Sequence, residues 1–200
     1  MKLASNYPGT RTVAVNYYLK SLKIYKDTKD LYSAADEYYQ MGVVAQEQQQ
    51  LDVAVDYYFK ALKIYEDAKG LYSAASIYHQ LGMLAEDQQG FAEAIEYYQK
   101  GWEVFEKFHD WYKASAILWK CGRVLEAQEN YSGALQIYIC VLAIGLQHNQ
   151  DWIGYQTDNL ARMLKQLGES QFQAIWRKAT SGECAGEVRE AIWTARDRLG

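Results

Sequence analysis

The sequence predicts an all-α protein in which antiparallel helical hairpins stack into a solenoid of about ten helices. One observation is compositional: the 200 residues include a single proline, the residue that most often interrupts a helix. A second is a segment that recurs every forty residues, a period typical of solenoids. The third is the three- and four-residue spacing of apolar positions inside each copy, which indicates amphipathic helices.

Composition and charge exclude several other classes of protein. Half of the residues are hydrophobic and 23% are charged, which excludes a disordered or collagen-like chain. The longest apolar run, Ile137 to Leu146, has about half the length of a membrane span. The formal net charge is −4, without the dense basic patch that nucleic acids require. We therefore expect neither a nucleic acid nor a membrane as a partner.

The cysteines and the first residues indicate a cytoplasmic protein. Cys121, Cys140 and Cys184 are far apart and lie in apolar helical pattern, so we expect small core residues rather than a disulfide framework. The first ten residues, MKLASNYPGT, lack the apolar stretch of a signal peptide.

Two kinds of helical segment alternate along the chain. Copies of one kind begin at Ala14, Ala54, Ala94 and Ala134. Copies of the other begin at Asp30, Gly70 and Asp110. The joints between them are short and polar, as in Gln48-Gln49-Gln50, so neighbouring helices must run antiparallel. Such a hairpin buries its apolar face only against the next copy, and this predicts stacking.

We predict one solenoid domain over residues 1–200. Its elements, in order, are an orphan helix of the second kind at 10–27, hairpin repeats at 30–68, 70–108 and 110–148, a degenerate repeat at 151–180 and a capping helix at 185–199. The orphan helix has no first-kind partner before it, so we expect Val13, Tyr17 and Leu22 to be partly uncovered. This indicates either a fragment of a longer signalling protein or a surface closed by self-association.

The repeat pattern weakens toward the C-terminus. The segment 151–167 lacks the glycine of the other copies, and Ala161 or Arg162 takes its place. Residues 170–180 form a shortened partner helix, and Ser181-Gly182-Glu183 ends it. The last segment sets Val188, Ala191, Ile192, Ala195 and Leu199 on one face. We expect this helix to cover the final apolar face of the array.

A four-residue pattern connects the two helices of each hairpin. A glycine is followed after twelve residues by alanine, after sixteen by tyrosine and after nineteen by a residue that is small in most copies. The copies are Gly42-Ala54-Tyr58-Ala61, Gly82-Ala94-Tyr98-Gly101 and Gly122-Ala134-Tyr138-Val141. This spacing resembles the tetratricopeptide repeat (TPR). The resemblance implies a right-handed αα-superhelix whose role is protein binding.

The repeat differs from the familiar TPR in two respects. Its period is forty residues rather than about 34, and Glu66 and Glu106 stand where the TPR has proline. Units lengthened in this way resemble the TPR sensor arrays of bacterial multidomain signalling proteins, among them STAND or NB-ARC NTPases and CHAT proteases.

The resemblance also implies where a partner binds. The first helix of each TPR hairpin lines a concave groove, and helical geometry assigns to that face the residues three before, one after and four or five after the glycine. They are Tyr39, Val43, Gln46 and Glu47, then His79, Met83, Glu86 and Asp87, then Trp119, Arg123, Glu126 and Ala127. The degenerate repeat adds Arg162 and Lys165. Aromatic anchors beside an acidic margin favour a protein or peptide with apolar and basic residues.

Other interpretations remain open. The aromatic stripe of Tyr39, His79 and Trp119 also fits ordinary helix packing, and the chain also fits a self-associating structural array. The sequence contains no catalytic, cofactor-binding or metal-binding motif, so we expect a protein that is not an enzyme and needs no cofactor. An enzyme would have to assemble dispersed residues such as His79, Glu86 and Arg123. An adaptor for acidic tails is disfavoured, because the groove positions lack lysine and asparagine.

Overall fold

The computed structural model describes residues 8–148 and 153–199, with side chains described from residue 15 in the first range and from residue 156 in the second. Every regular element in these ranges is an α-helix, which confirms the predicted class. The helices are α1 (Pro8–Asp27), α2 (Leu31–Glu47), α3 (Leu51–Asp67), α4 (Leu71–Asp87), α5 (Phe91–Lys107), α6 (Trp111–Ala127), α7 (Tyr131–Gln147), α8 (Ile153–Thr180) and α9 (Gly186–Arg198). Gly168 interrupts α8 with φ 76° and ψ 161°, so these ranges hold ten helical segments, as predicted.

The spacing of the helices is more regular than the forty-residue repeat suggests. Each helix from α2 to α7 has 17 residues, and three residues separate each consecutive pair among these six helices. The backbone therefore repeats every twenty residues, while the side-chain pattern repeats every forty.

The turns between these helices share one conformation. Their middle residues are all left-handed, with φ between 57° and 61°: Lys29, Gln49, Lys69, Gln89, His109 and Glu129. After α1, the Asp30 amide donates to the Tyr25 carbonyl at 2.8 Å, which is the Schellman hydrogen bond. The Asp30 carboxylate in turn accepts from the Ser33 amide at 3.1 Å. One residue thus ends one helix and caps the next, which keeps the turn short.

The chain divides into two compact units, residues 1–88 and 89–200. In the first, α1 to α4 pack in sequence, and Leu22, Ala34 and Met41 form one core cluster. Leu22 is only 7% exposed, so the expectation that it is uncovered is wrong: it packs with that cluster. Tyr17 is 66% exposed, whereas the side chain of Val13 lies outside the described residues.

The second unit contains α5 to α9. Its largest cluster joins α7, both segments of α8 and α9. Ala161 is fully buried there, so alanine, rather than Arg162, takes the place of the repeat glycine. Ile192 and Ala195 of α9 are buried against this cluster. Leu199 was expected on the same face but is exposed, because α9 ends at Arg198.

Two cysteines are buried and one is not. Cys121 and Cys184 are buried, whereas Cys140 is exposed, contrary to expectation. Cys140 lies on the outward stripe of α7 with Gln136 and Ala143, at helical spacings of four and three residues. The buried residues of α7 occupy its opposite side.

The repeat glycines allow the two helices of a hairpin to approach closely. A Cβ atom built on Gly42 would lie 2.5 Å from Cε1 of Tyr58, and one built on Gly122 would lie 2.5 Å from Cε1 of Tyr138. Both tyrosines are completely buried. The glycine and the tyrosine therefore form a single packing contact in each of these two hairpins.

Candidate protein-binding surface

Tyr39 lies at the edge of the predicted face in the first unit. Its ring centroid is 5.9 Å from that of Tyr58, and its hydroxyl accepts a hydrogen bond from Nε2 of Gln80 at 3.3 Å. Tyr39 nevertheless remains partly exposed. It therefore contributes to packing and also presents one side to solvent.

The other residues predicted for this face in the first unit differ in their exposure to solvent. Val43, His79, Met83 and Glu86 are partly exposed, and Glu47 is exposed. Gln46 instead accepts a hydrogen bond from the hydroxyl of buried Tyr58 at 2.9 Å. Burial raises the pKa of Tyr58, with the nearby Tyr39 and Glu47 adding to the effect, so this hydroxyl remains a donor. Gln46 thus belongs to the hairpin contact.

Part of this face lies outside the positions predicted from the sequence. Asp36, Gln40, Val43 and Glu47 follow one another at spacings of four, three and four residues, which place them on one stripe of α2. On α4 the same register contains Ser76, Gln80, Met83 and Asp87. Asp36 and Gln40 are exposed, and Ser76 and Gln80 are partly exposed. Extending the helical spacing toward the N-terminus from Val43 would have found these residues.

A cleft of about 220 Å³ lies between α2 and α4. Its lining residues include Asp36, Tyr39 and Gln40 from α2, Ser76 and Ile77 from α4, and Tyr65 from α3. The buried Tyr65 donates a hydrogen bond from its hydroxyl to Oδ1 of Asp36. Burial, together with this bond, raises the pKa of Tyr65. The carboxylate is therefore held at the cleft by a permanent donor.

Charge distinguishes α2 and α4 from α6. Neither α2 nor α4 contains lysine or arginine, and together they carry five acidic residues: Asp36, Glu37, Glu47, Glu86 and Asp87. By contrast, α6 carries Lys113, Lys120 and Arg123 with a single acid, Glu126. Glu37 faces α1, where it is hydrogen-bonded to Ser21, whereas the other four acids are at least partly exposed and give α2 and α4 an acidic surface.

In the second unit, Trp119 combines packing with partial exposure. It packs against the main core cluster of that unit. The guanidinium carbon of Arg123 lies 5.4 Å from the centroid of the Trp119 ring, and Nζ of Lys120 lies 5.8 Å from it. These distances are typical of cation–π contacts. Arg123 is exposed, so the pair presents a basic and aromatic patch on α6.

Glu126 takes part in a hydrogen-bond network rather than in a free acidic margin. Its Oε1 accepts from Nε of Arg162 at 2.8 Å, and its Oε2 accepts from the Tyr138 hydroxyl at 2.8 Å. Burial acts to raise the pKa of Glu126, but the bonds from Arg162 and Tyr138 and the charges of Arg162 and Arg123 outweigh it and lower the pKa. Glu126 and Arg162 therefore neutralise each other.

Lys165, the other cation expected at this end, donates from Nζ to the carbonyl of Leu199 at 3.0 Å. Neither of these two contacts is predictable from sequence spacing, because Glu126 is 36 residues from Arg162 and Leu199 is 34 residues from Lys165.

Among the described residues, no group of three or more histidine, cysteine or acidic side chains could hold a metal ion. In the same ranges, no helix is both long enough and apolar enough to cross a membrane.

Several solved structures have folds similar to that of this chain. The crystal structure of BtubC (BKLC) from P. vanneervenii has a TM-score of 0.62 and 17% identity, covering 96% of this chain and 85% of that one. A putative kinesin light chain from Podosopora anserina with nearly identical TPR-like repeats has a TM-score of 0.66 and 17% identity, covering 87% and 90%. The apo form of RapI has a TM-score of 0.62 and 16% identity, covering 92% and 72%. At these identities the similarity shows the fold, and it confirms the predicted TPR-like class.

No curated protein significantly matches the sequence. A family model, in contrast, matches most of it. That model describes the soluble NSF attachment protein, SNAP, and it matches residues 9–180, a range that includes every repeat glycine and tyrosine. The chain therefore belongs to the SNAP family of TPR-like helical-repeat proteins.

Proposed function

We propose that this chain is a non-enzymatic protein-binding scaffold or sensor module. Its partner is a protein or peptide segment that binds along the groove lined by the first helix of each hairpin. The observation that carries this proposal is the partial exposure of apolar and aromatic side chains on those helices, among them Tyr39, Val43, Met83 and Trp119. Helical repeats of this class generally serve protein–protein interaction through such surfaces.

The chemistry of the face supports a partner with apolar and basic residues. Val43 and Met83 offer apolar contact area, and His79 offers an aromatic ring. The four acidic residues of α2 and α4 other than Glu37, with no basic residue on either helix, favour a positively charged partner through electrostatic complementarity.

The family and the resemblance suggest a cellular setting. We infer a cytoplasmic protein with a role in signalling, because the lengthened units resemble bacterial TPR sensor arrays and the cysteines fit a reducing compartment. The family description names attachment to NSF, so NSF is one defined partner to test.

Affinity capture with matched variants tests the proposal. The test variant combines Val43→Ala, Met83→Ala and Arg123→Ala. The control combines Val53→Ala, Leu146→Ala and Arg198→Ala, which remove similar atoms at positions exposed elsewhere. We expect a captured protein, or purified NSF, to bind the parent and the control and to bind the test variant at least about tenfold more weakly. Equal binding to all three would place the partner outside the predicted face.

Self-association is a second candidate function, because α1 presents an exposed apolar surface. Tyr17 and Ile24 are both exposed and lie seven residues apart on one stripe of α1, and exposed apolar side chains that share a stripe favour an interface. Sedimentation equilibrium of the parent and of a Tyr17→Lys, Ile24→Lys variant separates the two functions. Self-association predicts a concentration-dependent mass that the variant abolishes, whereas a parent that is monomeric at every concentration would exclude it.

A further inference from the structure

We propose that the cleft between α2 and α4 is a subsite for one arginine side chain of the bound partner, with Asp36 as its counter-ion. This inference rests on the proposed protein-binding function and gives it a specific chemistry.

The size of the cleft favours a single side chain. Its volume is about 220 Å³, below the roughly 300 Å³ at which pockets for small-molecule ligands begin. Two hydrogen bonds between α2 and α4 fix its shape. The Tyr32 hydroxyl and Oγ of Ser73 are 2.6 Å apart, and Gln80 donates to Tyr39. Ser73 and Tyr39 are themselves lining residues, so the two bonds hold α2 and α4 together at the cleft.

The charge of the cleft favours a cation. Asp36 remains exposed although its Oδ1 accepts from Tyr65. In the part of the chain that the structure describes, no ion pair involves Asp36. The absence of lysine and arginine from both flanking helices leaves this carboxylate available to a cation from a partner.

The walls of the cleft favour arginine over lysine. Tyr39 lines the cleft and is partly exposed, so its aromatic ring is one on which a planar guanidinium stacks. Ser76 and Gln40 provide further oxygen atoms beside Asp36. A guanidinium has five donors to share among such acceptors, whereas an ammonium is a compact and strongly hydrated charge.

NMR titration of the isotope-labelled full chain tests the subsite directly. The probe is N-acetyl-arginine amide, and the comparison compounds are the lysine analogue and the neutral citrulline analogue. We expect saturable shifts of the amide signals around Asp36 and Ser76 with the arginine probe, weaker binding of the lysine probe and no saturable binding of citrulline. Saturation at other residues, equal binding of citrulline or of lysine, or no saturation would each overturn the proposal.

Two variants and one control make the test specific. Asp36→Asn keeps an acceptor for Tyr65 but removes the charge, and we expect arginine to bind about tenfold more weakly. Ser76→Met fills the cleft without changing the charge and should also block binding. Asp52→Asn removes an exposed carboxylate in the first turn of α3 and should leave the affinity unchanged. Equal weakening by Asp52→Asn, or no weakening by Asp36→Asn, would contradict the subsite.

Capture of the partner distinguishes failure of the subsite from failure of the proposed function. A partner that loses affinity for the Val43, Met83 and Arg123 variant but binds Asp36→Asn as tightly as the parent would overturn the subsite and leave the scaffold function standing. Arginine binding that depends on Asp36, with capture independent of the groove variant, would support the subsite and contradict the proposed groove.

Discussion

The hairpin α2–α3 and the hairpin α6–α7 share one packing contact and differ in the polar group beside it. In each, a buried tyrosine packs on a helical glycine, and its hydroxyl donates to a side chain twelve residues earlier. The acceptor is the neutral Gln46 for Tyr58 and the charged Glu126 for Tyr138. Only Glu126 has a counter-ion from a further helix, in Arg162.

This difference shows that packing and electrostatics vary separately in the repeat. The contact between the glycine and the tyrosine fixes how closely the two helices approach. Either a neutral or an anionic acceptor fits beside the tyrosine hydroxyl at that distance. A partly buried carboxylate, however, requires compensation for the water that it loses. Arg162 supplies that compensation, so α8 is tied electrostatically to α6 as well as packed against α7.

The largest loss of stability is expected at the glycine–tyrosine contact, which the two hairpins share. Gly42→Leu and Gly122→Leu each place a side chain within the ring of a buried tyrosine, and we expect each to lower the free energy of unfolding by about 3 kcal/mol or more. Chemical denaturation followed by circular dichroism measures it. Gly182→Leu is the control, because no atom lies within 4 Å of a Cβ built there. A parent-like transition for either helical variant would show that its tyrosine moves aside freely.

The second prediction compares the stability contributed by the hydrogen bonds to the two acceptors, Gln46 and Glu126. Tyr58→Phe removes a hydrogen bond to an amide and should cost about 0.5–1.5 kcal/mol. Tyr138→Phe removes a bond to a charged group and should cost about 1.5–3 kcal/mol. The same denaturation experiment compares them, and phenylalanine preserves the ring packing in both. Equal losses would mean that the charge of Glu126 adds nothing to its bond with Tyr138.

The smallest predicted effect is a pH-dependent change in the free energy of unfolding. The pKa of Glu126 lies below its ordinary value of 4.5, so its ionised form stabilises the fold above that pH, and this contribution is lost as pH falls through the folded-state pKa. Glu126→Gln should therefore cost about 1 kcal/mol at neutral pH and progressively less between about pH 5 and pH 3. Denaturation across this range measures the difference, and Arg162→Gln should show the same trend. A constant difference would contradict the network.

Much of the fold could be predicted from the sequence, because each hairpin repeats the same few contacts. The spacing of Gly42, Ala54 and Tyr58 identified residues that meet across the hairpin. The twenty-residue backbone period could not be seen, since the six turns use lysine, glutamine, histidine and glutamate in one conformation. Their side chains point to no common turn type, and the shared geometry is set by backbone hydrogen bonds.

The candidate site was less predictable, because neighbouring helices decide which outward side chains stay available. The spacing from the repeat glycine predicts the residues at the edge of the α2 face, but it does not predict Asp36. The position of Asp36 at a cleft depends on Tyr65 and Ser76, which lie on other helices. The same spacing also predicts that Glu126 belongs to the acidic margin of the groove. Its partner Arg162 lies in the degenerate repeat, where the register shifts so that Ala161 rather than Arg162 is buried.

The shared turn conformation has a consequence for how such a gene can change. Recombination between any two turns forty residues apart would join a helix of each kind to its proper neighbour, with the same capping bonds at the junction. A hairpin could be gained or lost in one event without redesigning a loop. An event spanning twenty residues would also preserve the turn, but it would put two helices of the same kind side by side and break the pairing of glycine with tyrosine.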